Sequence, residues 1–165
     1  MDTTTRIPWL AKALSSGLFT SYIPARMFSR SSWTGAGFLG TVWGWLLLRF
    51  LPVSAGGYLL FLCAAILLAA GLTTLAEKSM GRQDDPRIIL DETVGYWVSA
   101  AFLPRTTSVL LAAFVLFRIL DACKPPGLRS LEKLPGGLGI VSDDVAAGIA
   151  ANLILRAGIF CYGKI

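Results

Sequence analysis

Gly57 to Ala76 is a run of twenty residues without one charged side chain. At about 1.5 Å of rise per residue, a helix of that length crosses a hydrocarbon layer of roughly 30 Å. A chain that commits so much of its length to one uncharged helix must surround it with other apolar helices, with lipid, or with both. The remaining sequence agrees. Hydrophobic residues make up 55% and charged residues 15%, where a soluble domain is nearer a quarter charged. The 17 glycines suit helices that pack closely in lipid. No strand-like alternation of useful length occurs. The expectation is an all-α fold: a compact, membrane-embedded helical bundle of five or six helices, forming one domain. A soluble bundle with a greasy core is the alternative.

Other segments fill in the outline. Residues 1–35 are a basic lead-in in which Arg6, Lys12, Arg26 and Arg30 alternate with aromatics; this reads as an interfacial segment or a plain tail. The main helical domain is expected over 36–165. Residues 36–51 form a short Gly-rich helix ending near Arg49 and Pro52. Residues 93–117 are apolar but broken at Pro104-Arg105-Thr106. Proline ends helices and arginine is costly at mid-bilayer depth, so each half is too short to span. Residues 145–160 make the last helix, interrupted only by Arg156.

The chain has no histidine and a net charge of +5. Without histidine, Ser–His–Asp hydrolysis, phosphohistidine chemistry and typical zinc sites are excluded. Basic residues punctuate the ends of apolar stretches, which suits anionic headgroups; no stripe suited to nucleic acid is present. Cys63, Cys123 and Cys161 lack paired spacing, so neither a disulfide framework nor a zinc site is expected. Two of the three lie in apolar stretches and read as small buried residues facing a reducing compartment.

Nine of the ten acids lie in two polar segments, 77–92 and 118–144. Glu77 and Glu132 read as ordinary solvated loop residues. The others suggest a divalent metal. Mg²⁺ prefers oxygen ligands and binds through a few carboxylates plus phosphate and water. The candidate ligands are Asp91, Glu92, Asp121, Asp143 and Asp144, with Asp85 as a further one. Arg118, Asp121 and Lys124 recur at three-residue steps, so one helix face presents plus, minus, plus; an intrahelical ion pair would give the same spacing. Asp143 and Asp144 are expected to open the last helix after Gly136-Gly137-Leu138-Gly139. One of them could cap it, and the glycines Gly136, Gly137 and Gly139 could let amides approach a phosphate. The break at Pro104 ties these segments together. A hairpin there returns both acidic segments to one face, where they can share a metal.

Residues 84–97 resemble the phosphatidylglycerophosphatase A family. Its Asp-Pro, apolar run and Asp-Glu-x-x-Gly are matched by Asp85, Pro86, Asp91, Glu92 and Gly95. Residues 117–125 look like the family's Phe-Arg-x-x-Asp-x-x-Lys-Pro, and residues 136–148 its Gly-Gly-x-Gly-x-x-x-Asp-Asp-x-x-Ala-Gly. The family's Pro-Gly-Thr-x-Gly-Ser segment has only an approximation here, Gly40-Thr41-Val42-Trp43-Gly44-Trp45. The resemblance implies Mg²⁺-dependent hydrolysis of phosphatidylglycerophosphate to phosphatidylglycerol and phosphate, in a bacterial inner membrane with the site facing the cytoplasm. The carboxylates would hold one or two Mg²⁺ ions, Arg118 and Lys124 would clamp the phosphate, and a carboxylate not bound to metal could take a proton from water. A covalent aspartyl-phosphate is equally compatible. A small transporter or assembly subunit with an acidic ion site is the competing reading, and predicts acids in the middle of spans rather than at their ends.

Overall fold

The structure, a computed structural model, describes residues 3–27, 35–83, 85–123, 131 and 134–162. Among these residues every regular element longer than a single turn is an α-helix. They are α1 (Thr3–Ser15), α2 (Tyr22–Met27), α3 (Ala36–Leu48), α4 (Ala55–Met80), α5 (Leu90–Ser99), α6 (Thr107–Cys123) and α7 (Gly137–Tyr162). The count exceeds five or six because the described part of the basic lead-in contains two helices, α1 and α2. It is also docked: Ala11, Ala13, Ser15 and Ser21 are buried, and the Ile89 amide donates to the Ser15 carbonyl at 2.7 Å.

The uncharged run becomes α4, extended at both ends. Ser54 caps its start, its hydroxyl accepting from the Gly57 amide at 3.3 Å. Gly81, at φ 72°, ends it by donating to the Glu77 carbonyl, the left-handed closure that glycine permits. At 26 residues each, α4 and α7 are long and apolar enough to cross a membrane, by length and composition. Their outer faces carry exposed Leu59, Leu60, Leu67, Leu153, Ile154 and Phe160, an apolar surface of the kind lipid covers. The three cysteines also lie on outward surfaces and are exposed, which corrects the expectation that two of them are buried. An apolar stretch signals burial only where water is the alternative.

The break at Pro104 is a tight reversal between α5 and α6. Arg105 sits in it and donates to the carbonyls of Leu51 (3.2 Å) and Pro52 (2.7 Å), in the segment that follows α3. These carbonyls lie outside any helix, so no intrahelical bond takes them and the arginine has ready acceptors. The hairpin brings the start of α5 and the end of α6 to the same end of the bundle, as the sequence anticipates.

α5 is the central helix, packed between α3 and α7 and touching α4 and α6. Tyr96 and Val94 on it are fully buried. Its far end is held by Asn152 of α7, which donates to the Ser99 and Ala101 carbonyls at 2.9 and 2.8 Å. The α5–α7 contact depends on glycines. A Cβ on Gly148 would strike the Gly95 carbonyl oxygen, and one on Gly95 would stand 2.9 Å from the Asp144 carbonyl oxygen. Both obstacles are backbone and cannot swing aside. Gly148→Ala should therefore destabilise the fold by about 2–3 kcal/mol, read as a lower midpoint of thermal unfolding in detergent; an unchanged midpoint would mean the helices lie farther apart.

Candidate functional site

The site assembles at the hairpin's open end. Asp91 and Glu92 occupy the first turn of α5, where a helix amino end favours negative charge. Arg118 and Asp121 lie on the last turns of α6. Asp143 and Asp144 lie two turns inside α7, which starts at Gly137 rather than near residue 145. They are thus not caps. Gly137 and Gly139 belong to the helix as well, and only Gly136, at φ 60°, precedes it. The Gly137 amide donates to Thr74 Oγ1 at 2.9 Å, and the Gly139 amide donates to the Gly136 carbonyl at 3.0 Å. A Cβ on Gly137 would strike the Ala70 carbonyl oxygen. This glycine seats α7 against α4.

Asp91, Glu92 and Asp144 converge. Each offers a carboxylate oxygen, and the three oxygens lie within 4.8 Å of one another. Asp91 and Asp144 are 7% and 4% exposed. Glu92 Oε2 and Asp144 Oδ2 are buried and meet no hydrogen-bond donor among the described residues. Burial first, then the neighbouring Asp91 carboxylate, push the Glu92 carboxyl well above the usual range, and Asp121 adds to this while Arg118 opposes it. Several acids confined together out of water are costly unless a proton or a cation joins them.

Arg118 borders this cluster. Its Nη1 donates to Asp121 Oδ2 at 2.6 Å, the plus–minus pair that the three-residue spacing suggests. A Cβ on Gly37 of α3 would run into Glu92 Oε1 and stand 3.2 Å from Arg118 Nη1. The bare glycine lets α3 lie directly over both side chains. Gly37, Gly40 and Gly44 form one small-residue face against α5, and Thr93 bridges to it through the Gly40 carbonyl at 2.8 Å. The sequence reading missed this face, although glycines at three- and four-residue steps are its signature.

The other candidates adjoin the cluster, sit apart from it or fall outside the described residues. Asp85 is buried, but Arg87 occupies both its oxygens, at 2.7 and 2.6 Å. Burial alone would raise its carboxyl; the hydrogen bonds and charge of Arg87 outweigh that and hold it below the usual carboxylate range. Arg87 also stacks on Tyr22 at 5.1 Å, so Asp85 anchors the α4–α5 connector. Asp143 is buried beside Asp144. Glu77 is no loop residue: it is 7% exposed, on the last turn of α4. Lys124 and Glu132 lie outside the described residues.

A family profile described as phosphatidylglycerophosphatase A matches residues 13–159. The chain belongs to the phosphatidylglycerophosphatase A family. It is a lipid phosphatase, as the acids and the arginine suggest, and the transporter reading falls away. Among its relatives, the Escherichia coli phosphatidylglycerophosphatase A is 35% identical over 152 residues, covering 90% of this chain and 81% of that protein. The phosphatidylglycerophosphatase A of Haemophilus influenzae is 38% identical over 120 residues, 72% of each chain. A Bacteroides thetaiotaomicron protein, provisionally described as a phosphatidylinositol-3-phosphatase, is 35% identical over 127 residues, 72% of this chain and 78% of that one. No solved structure matches the chain at a significant level.

Proposed function

We propose that this chain hydrolyses phosphatidylglycerophosphate to phosphatidylglycerol and phosphate, in a Mg²⁺-dependent reaction at the cytoplasmic face of a bacterial inner membrane. The observation that carries the reading is the meeting of Asp91, Glu92 and Asp144, from helices distant in sequence, beside Arg118.

The residues fit the metal. All three donors are carboxylate oxygens, the hard ligands that Mg²⁺ prefers. Two of them are buried oxygens that meet no hydrogen-bond donor among the described residues. Asp91, Glu92 and Asp144 would hold the ion, with Asp121 and Asp143 beside them. When bound, Mg²⁺ supplies positive charge at the phosphate oxygens, where charge builds up during phosphoryl transfer. Arg118, fixed by Asp121, presents its remaining N–H groups to the phosphate, and Lys124 is the second contact that the sequence suggests. Gly137 and Gly139 have no part in this scheme, since their amides are already engaged. Asp85 has none as a ligand, since Arg87 holds it. The apolar faces of α4, α6 and α7 keep the protein in the bilayer, where the substrate is.

Purified protein in mixed micelles should release phosphate from phosphatidylglycerophosphate at least tenfold faster than from phosphatidylinositol 3-phosphate or soluble glycerol phosphate. The reverse order for the two lipids would transfer the chain to the inositol lipid named for the Bacteroides relative. Activity should vanish in excess chelator and return with added Mg²⁺. Full turnover in chelator would remove the metal from the scheme.

A further inference from the structure

A cavity of about 550 Å³ lies between α1, α3, α4 and α5, within the range of small-molecule sites. We propose that it receives an acyl chain of the phospholipid substrate. This deepens the function proposed above and rests on the substrate being a diacyl phosphomonoester, whatever its headgroup.

The first argument is the chemistry of the walls. Three residues lining the cavity have polar side-chain atoms, and each spends them elsewhere. Thr93 Oγ1 donates to the Gly40 carbonyl at 2.8 Å, Trp97 Nε1 to the Gly44 carbonyl at 2.9 Å, and Trp43 Nε1 to Thr20 Oγ1 at 2.9 Å. What faces the cavity is hydrocarbon, so a polar ligand would lose its hydration there without recompense.

The second argument is continuity with the carboxylates. Leu90, Val94 and Trp97 line the cavity and recur at the spacing of one face of α5. Asp91 and Glu92 stand on that helix's first turn. The carboxylates and the Leu90 end of the cavity therefore lie on two sides of one helix end, separated by about a helix diameter, roughly 10–12 Å. The cavity is also reachable from the bilayer: Leu18 and Leu68 on its edge are 65% and 64% exposed.

The backbone at that edge is strained at Leu18 and Phe19. Gly17, Leu18 and Phe19 all have positive φ, at 57°, 56° and 65°, a conformation side chains seldom tolerate and one that clusters at ligand clamps. It is held by the Phe19 amide donating to Ser16 Oγ at 3.0 Å.

The test uses the full chain in phospholipid nanodiscs doped with phosphatidylglycerol and phosphatidylcholine that bear a photoactivatable group on one acyl chain. Adducts are expected on Leu14, Phe61 or Trp97, and Ala65→Trp, which fills the cavity, should reduce them at least fivefold while adducts on the outward Leu60 and Leu67 persist. The same variant should lower the ratio of kcat/KM for a long-chain substrate to that for its dibutanoyl analogue about tenfold. Leu72→Phe is the smaller filling to use if Ala65→Trp does not fold. Adducts confined to outward faces would mean that only annular lipid touches the protein, and would overturn the inference, as would equal losses on both substrates. Labelled cavity residues in a protein that leaves phosphatidylglycerophosphate intact would sink the headgroup assignment and leave the cavity reading standing.

Discussion

Asp144→Asn should lower phosphate release by roughly 10³-fold, the scale of losing one electrostatic group from a buried transfer site, while making the metal-free protein more stable. Both effects have one cause. Asp144 is 4% exposed, and its carboxylate shares a space within 4.8 Å with those of Asp91 and Glu92. Without a cation, that crowding opposes folding, so an amide of the same shape relieves repulsion. With the cation, the same amide removes a charged ligand. The thermal midpoint of the variant in detergent should therefore rise without Mg²⁺, and should no longer respond when Mg²⁺ is added. The unaltered chain should show a Mg²⁺-dependent increase, as expected when a ligand binds only the folded state. A variant that keeps near-normal turnover and the Mg²⁺ response would take Asp144 out of the site.

Arg118→Ala should reduce kcat/KM by roughly 10²- to 10³-fold, and Arg118→Lys should recover little of it. The guanidinium already commits one N–H to Asp121 at 2.6 Å. A planar fork can hold that carboxylate and still offer donors to a phosphate; a lysine ammonium cannot reproduce both directions. The bland account of this pair, an i,i+3 bridge that steadies α6, predicts a different pattern. Lysine would then restore activity, and alanine would lower the unfolding midpoint with little loss of turnover. Measuring both variants kinetically and by thermal unfolding separates the two accounts.

The sequence was most readable where one force dominates. Twenty uncharged residues can do little but form a helix like α4. Proline and arginine in a short apolar run require a reversal, and Arg105 is positioned there to use the Leu51 and Pro52 carbonyls that follow α3. The acids of α5 and α7 were recognisable as partners because a hairpin returns them to one end of the bundle. The failures came where two readings of a residue type compete. A Gly-Gly-x-Gly string suggests a loop, yet Gly137 and Gly139 are helical, and Gly137 lets α7 approach α4 closely. Cysteine in an apolar stretch suggests burial, a rule written for water outside. Glu77 reads as solvated because it follows the apolar run, but the helix continues through it. Asp85 reads as a possible ligand in sequence because the guanidinium that neutralises it, two residues away on Arg87, meets it only when the connector is folded.

The central claim is that Asp91, Glu92 and Asp144 share one hard cation. Electron paramagnetic resonance of Mn²⁺ added to the purified chain in micelles tests it most directly. The account predicts a bound Mn²⁺ signal that Mg²⁺ displaces, with affinity at least tenfold weaker in both Asp91→Asn and Asp144→Asn. Equal Mn²⁺ binding by the two variants and the unaltered chain would contradict it.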